Sequence, residues 1–233
     1  MNHIDLSILE FLNNFSRTQW LLDIIVNFIS TNDFLKGGIL VALIWSIWFR
    51  PNQLMGRENQ TRIITNLFAC ISAIAIARVF AITLPFRQRP IHNEEIDFIL
   101  PVGSNVQILS DWSSLPSDHS VLFFTLAFGI YFISKRAGIF ALIYTSVFIA
   151  LPRVYLGLHY PSDILAGVIL GLAVALLADK SQWMMNISGA IQVFSTRRPE
   201  LFYPLFFLCS YQVADMFSSS RALINLGIFF FKV

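Results

Sequence analysis

Apolar runs of roughly 15 to 20 residues alternate with polar connections along this chain, the pattern of helices that cross a bilayer. The runs lie at about 34–49, 63–84, 117–134, 138–152, 161–178 and 201–217, and predict six spanning helices. The stretch before them differs. Within 4–30, Leu6, Leu9, Leu12, Leu21, Ile24, Ile25 and Phe28 recur among Asp5, Glu10, Arg17 and Asp23. That spacing predicts one or two amphipathic helices lying at the membrane interface. Two longer polar stretches, about 85–116 and Asp179 to Glu200, read as connections, and a short tail ends in IFFFKV. The expected organisation is an interfacial helix over 1–33, a helical core over 34–178, and a C-terminal extension over 179–233 with the sixth span.

Composition agrees with an all-α polytopic membrane protein. Of 233 residues, 56% are hydrophobic and 13% charged, against about 25% charged in a soluble domain. A net charge of +2 with no long basic run gives no nucleic-acid footprint. Cys70 and Cys209 fall inside apolar runs and read as buried hydrophobes rather than a disulfide. The first 30 residues lack the basic start of a cleaved signal peptide. Basic residues set the orientation. Arg50, Arg57, Arg62, Lys135, Arg136, Lys180, Arg197 and Arg198 occupy alternate connections, which should be cytoplasmic. The other connections, including the acidic 85–116, should face outward, to the periplasm or exterior of a bacterial plasma membrane.

Every residue suspected of chemistry falls on that outer side, in three segments. The first is Leu84-Pro-Phe-Arg-Gln-Arg-Pro90, the second Leu115-Pro-Ser-Asp-His-Ser120, and the third Arg153 to Asp163, RVYLGLHYPSD. His159 and Asp163 are one helical turn apart, so in a helix the carboxylate would reach the imidazole and fix its tautomer. Arg153 offers a planar, permanently charged fork suited to phosphate. Pro-Ser-Asp occurs twice where a helix should begin, and the free N–H groups of a first turn attract anions. Two helix N-termini, His119, His159 and up to four arginines at one face describe a phosphate pocket.

With these residues in view, the chain resembles the type 2 phosphatidic acid phosphatase superfamily, which also includes glucose-6-phosphatase and the vanadium haloperoxidases. Its signature runs Lys-x6-Arg-Pro, Pro-Ser-x-His and Ser-Arg-x5-His-x3-Asp. Arg89-Pro90 matches the end of the first part, Pro116 to His119 the second, and Arg153, His159 and Asp163 the third. Ile82 stands at the lysine position and Pro152 at the serine position. Arg78, one turn before Ile82, either replaces the lysine charge or snorkels to the interface. Arg87 is a second candidate for phosphate, weighed against a plain interfacial charge.

The resemblance implies a mechanism. His159 attacks phosphorus and forms a phosphohistidine, Asp163 orients it, and His119 protonates the leaving oxygen and then activates water. Arg89, Arg153 and Ser117, with Arg78 and Arg87 as further candidates, hold the phosphate oxygens. No metal or cofactor is expected, since the arginines supply the positive charge. The implied substrate is a lipid phosphate in the bilayer, foremost a polyprenyl pyrophosphate. Phosphatidate, phosphatidylglycerol phosphate and lipid A phosphates are the alternatives, and a phosphotransferase would use the same residues. A lipid-binding protein without catalysis has no use for a nucleophile with an orienting carboxylate.

Overall fold

The computed structural model describes residues 3–50, 56–104 and 110–231, and among these every regular element is helical. We number the helices α1 (His3–Asn13), α2 (Trp20–Thr31), α3 (Phe34–Trp48), α4 (Gly56–Thr83), α5 (Asp118–Ile133), α6 (Lys135–Tyr155), α7 (Pro161–Lys180), α8 (Gln182–Arg197), α9 (Pro199–Ala214) and α10 (Ser218–Phe231). Three are long and apolar enough to cross a membrane: α4, α6 and α7. The pair α2 and α3, bent by 67° at its break, would make a fourth, and α5 is a shorter apolar helix. The molecule is a polytopic helical membrane protein, as the hydropathy pattern predicts.

Several boundaries differ from those read off the sequence. The expected polar connection over 179–200 is largely helix α8, started by Ser181, whose hydroxyl accepts from the Met184 N–H at 3.3 Å. One side of it turns polar residues inward: Ser188 bonds Thr65 at 2.8 Å and Gln192 bonds Gln60 at 2.9 Å, both on α4. The expected sixth span over 201–217 is the 16-residue α9, with Pro204 inside it. The tail beyond it is helix α10 to Phe231, and Lys232 and Val233 lie outside the described residues.

The N-terminal charges are also explained. Asp5 and Asp23 are buried, while Ile4, Phe11, Trp20, Leu21 and Phe28 face outward. The inward side straps the outer segment. Asn13 exchanges bonds with Ile99 at 2.7 and 2.8 Å, Arg17 Nε donates to the Leu100 carbonyl at 2.9 Å, and Asp23 accepts from the Val102 N–H at 2.9 Å.

Without water to squeeze out, helices in lipid associate by close packing and hydrogen bonds, which favours small residues at their contacts. Gly167 and Gly171 of α7 lie against α5. A Cβ on Gly167 would meet the Ser120 Cβ at 2.5 Å, and one on Gly171 would meet the Thr125 nitrogen at 3.0 Å. On the other side of α5, Gly129 admits the Asn66 side chain, which donates to the Leu126 carbonyl at 3.0 Å. A stack of Trp48, Phe202 and Phe206 ties α3 to α9. The close α5–α7 contact brings two helix N-termini together, and the Ser117 N–H donates to the Asp163 carbonyl at 3.3 Å.

Candidate active site

Helix α6 ends at Tyr155, and the chain turns at Gly157 (φ 67°) before Tyr160 caps α7. A Cβ at Gly157 would also meet the Phe98 ring at 2.6 Å, so glycine is needed there twice over. The expected His159–Asp163 helical turn is therefore a helix start. Asp163 Oδ2 accepts the Tyr160 N–H at 2.8 Å, as an acidic residue in a first turn does.

The partner of His159 differs from expectation too. Nδ1 lies 2.8 Å from the Ser114 carbonyl, whereas Asp163 Oδ2 is 3.8 Å away, too far for a hydrogen bond. A carbonyl only accepts, so Nδ1 carries the hydrogen, an assignment made from its partner. The Nε2 lone pair then accepts from Arg89 Nη1 at 3.1 Å. Asp163 is held by Arg87 Nη1 at 2.5 Å on Oδ1 and by Ser114 Oγ at 2.5 Å on Oδ2. Burial pulls the His159 imidazole below its ordinary pKa; Asp163 opposes this and Arg89 adds to it. Burial likewise lowers the Arg89 guanidinium, against the pull of Asp118 and Asp163.

His159 opens onto a cavity of about 160 Å³. Five basic side chains line it, Lys36, Arg78, Arg89, Arg153 and Arg221, against the carboxylates of Asp118 and Asp215. That excess of positive charge suits a phosphate dianion. His119 also lines the cavity, and its Nε2 lies 2.6 Å from Arg153 Nη2, which also donates to the Ser30 carbonyl at 2.9 Å. Arg153 Nε is buried with no partner among the described residues, a donor ready for an anion.

The structure thus brings His119, His159, Arg89, Arg153 and Arg78 to one cavity. Arg78 does not snorkel: it pairs with Asp118 at 2.6 Å and lies 4.5 Å from the Trp112 ring centroid. Arg87 is not among the lining residues, which corrects its expected phosphate contact. Its guanidinium is engaged behind His159, on Asp163, on Ser162 at 2.8 Å and on Asp5 at 2.9 Å. Ser117 is buried outside the lining, its hydroxyl without a partner among the described residues. Ile82 is 78% exposed and absent from the cavity lining, and Pro152 lines an apolar groove against α2.

Sequence reasoning missed five contributors. Ser114 holds both His159 and Asp163; nothing local marks it. Asp5 anchors Arg87, and a carboxylate within an amphipathic run was its signal. Lys36, a lysine inside an apolar run, signalled itself the same way. Asp215 and Arg221 come from beyond the signature altogether.

A helical membrane protein with paired helix N-termini, two histidines and a cationic cavity is a phosphate-handling architecture. The family model of the PAP2 superfamily matches residues 65–186, more than half of the chain, and the protein belongs to that superfamily. It is 39% identical over 64 residues to the bacitracin transport permease protein BcrC of Bacillus licheniformis, covering 28% of this chain and 31% of that one. It is 30% identical over 106 residues to the putative undecaprenyl-diphosphatase YbjG of Escherichia coli K12, covering 46% and 54%. The chain thus matches about a third and about half of the length of these relatives. Its fold is that of Aquifex aeolicus LpxE, with a TM-score of 0.53 at 23% identity, over 77% of this chain and 97% of that one.

Proposed function

We propose that this protein is a membrane phosphatase that hydrolyses a lipid phosphate through a phosphohistidine on His159, with a polyprenyl diphosphate as substrate. The observation that carries the reading is the tautomer of His159. Its Nδ1 is committed to the Ser114 carbonyl, while Nε2 accepts from Arg89 and is freed when a phosphate takes over that guanidinium, at a cavity lined by five basic side chains. A histidine presented this way is a nucleophile rather than a packing residue. The name of the Escherichia coli relative supports the diphosphate.

Nε2 attacks the terminal phosphorus, the bond to the bridging oxygen breaks, and Arg89, Arg78 and Arg153 stabilise the charge on the equatorial oxygens. His119 Nε2 accepts from Arg153 in the structure. A phosphate that takes over Arg153's N–H groups frees that nitrogen to take up a proton from the incoming diphosphate, which it passes to the leaving oxygen before activating water. Asp163 balances the positive charge gained by His159. Ser117 ties the α5 N-terminus to α7 through its backbone N–H on the Asp163 carbonyl. Arg87 holds Asp163 in place.

The site faces outward in this reading. The cavity lies at the C-terminal ends of α4 and α6 and the N-terminal ends of α5 and α7, opposite Arg57, Arg62, Lys135, Arg136 and Lys180. The region 34–178 is the helical core, and 1–33 and 179–233 complete its site through Asp5, Asp215 and Arg221. The test is phosphate release from polyprenyl diphosphate, phosphatidate and phosphatidylglycerol phosphate, in detergent with EDTA. EDTA-resistant release, abolished in His159→Ala and delivered to water rather than to an acceptor, is the expected result. No release from any of the three refutes it.

A further inference from the structure

The cavity at His159 adjoins a second one of about 340 Å³, and the two share a wall of Lys36, His119, Arg153, Leu158 and Ser218. The first holds His159, Arg89 and Arg78. The second is further lined by Asn27, Ser30, Thr31, Asp33 and Ser104, with Ile91 and Leu156 as its apolar members.

Lys36 sits at that boundary. It lies in the π-turn that opens α3, is 9% exposed, and pairs with Asp33 at 2.6 Å. An ammonium in an apolar run of a membrane protein is costly and marks a pathway or a site. Asp33, whose side chain is 52% exposed, only partly accounts for it. Two further buried atoms at the second cavity, Ser104 Oγ and Arg153 Nε, lack hydrogen-bond partners among the described residues. Buried polar atoms ordinarily have a partner, and an anion in this cavity would supply one to both.

We propose that Lys36, with Arg153 and Ser104, forms a subsite for the second phosphate of a diphosphate ester, the one that departs with the lipid. The inference rests on the phosphohistidine reading above and specifies its substrate. The terminal phosphorus lies in the first cavity against His159 Nε2. The bridging oxygen lies at His119, which lines both cavities, and the inner phosphate occupies the second. The N–P bond forms as the P–O bond to the bridging oxygen breaks. That electron pair stays on the departing lipid monophosphate, which takes a proton from His119, and water then releases orthophosphate from His159. Lys36 neutralises charge that grows on the departing phosphate, which lowers the barrier for a diphosphate specifically. A monoester leaves as an alcohol and brings no phosphate to the lysine.

Farnesyl diphosphate and farnesyl monophosphate share one tail and differ by that phosphate. The measurement is the ratio of their kcat/KM values in wild type, Lys36→Met and Lys36→Arg. The ratio should fall by roughly 10- to 100-fold in Lys36→Met and recover at least partly in Lys36→Arg. An unchanged ratio overturns the subsite, even where both rates drop together. If Lys36→Met does not fold, inhibition of wild type carries the same question. Methylenediphosphonate should inhibit at least about tenfold more tightly than orthophosphate, and equal inhibition overturns the proposal. Failure of the underlying reading looks different: wild type would release phosphate from neither compound, and the subsite would fall with it.

Discussion

Replacing Asp163 with asparagine asks how the proposed nucleophile is held. In many histidine–carboxylate pairs the carboxylate fixes the tautomer, and its amide costs about 10⁴-fold. Here the Ser114 carbonyl does so at 2.8 Å, and Asp163 stands 3.8 Å from the ring. The substitution therefore removes a charge but leaves the tautomer in place. Positive charge grows on His159 as the N–P bond forms. A unit charge at that distance is worth about 4 kcal/mol at an effective dielectric constant of about 20. Arg87, 2.5 Å from the same carboxylate, already cancels part of it. Taking half gives about 2 kcal/mol, or a fall in kcat of about 30-fold. The assay is phosphate release at saturating substrate, with a thermal melt to show that the variant folds. A loss of about 10- to 100-fold agrees with the geometry. An unchanged kcat would refute the charge role, and a loss near 10⁴-fold would show that the carboxylate fixes the tautomer after all.

Further expectations follow from the same geometry. Ile82→Lys should leave kcat/KM within about twofold, because Ile82 is 78% exposed away from the cavity, whereas Arg78→Met should lower it by roughly 10- to 100-fold. Because burial lowers the His159 pKa, its neutral form persists below the ordinary value of about 6.5. The acid limb of kcat/KM should therefore fall below that value; a limb clearly above it contradicts the assignment. Stability has the same sign: it is intact above the unfolded histidine pKa and is lost as pH falls through the folded one, because the unfolded chain takes up the proton first. Gly167→Ala should cost about 1–3 kcal/mol, read as a lower melting temperature, since the new methyl would sit 2.5 Å from the Ser120 Cβ.

What the sequence revealed was local chemistry, and what it concealed was long-range placement. His119, His159, Arg89 and Arg153 stood out because they lie in the three segments that carry the family resemblance, and the structure places all four at one cavity. Arg87 was misjudged because its destination is Asp5, 82 residues earlier in the chain. Lys36 was passed over because an apolar run averages away a single charge, although the cost of that charge in lipid was the clue. The region 179–200 read as a connection because polar residues were taken to face water. Ser188 and Gln192 instead bond Thr65 and Gln60 on α4. Gly167 and Gly171, four apart on α7, have the small-residue spacing of close helix packing, and only the structure shows that α5 is the helix they meet.

The central claim is a covalent bond between His159 and phosphorus. Rapid alkaline quench of the enzyme turning over ³²P-labelled diphosphate substrate, followed by peptide mapping, tests it most directly. The account predicts acid-labile, base-stable label on the peptide bearing His159, absent from His159→Ala. Turnover that proceeds without any labelled histidine, or with label elsewhere, would contradict it.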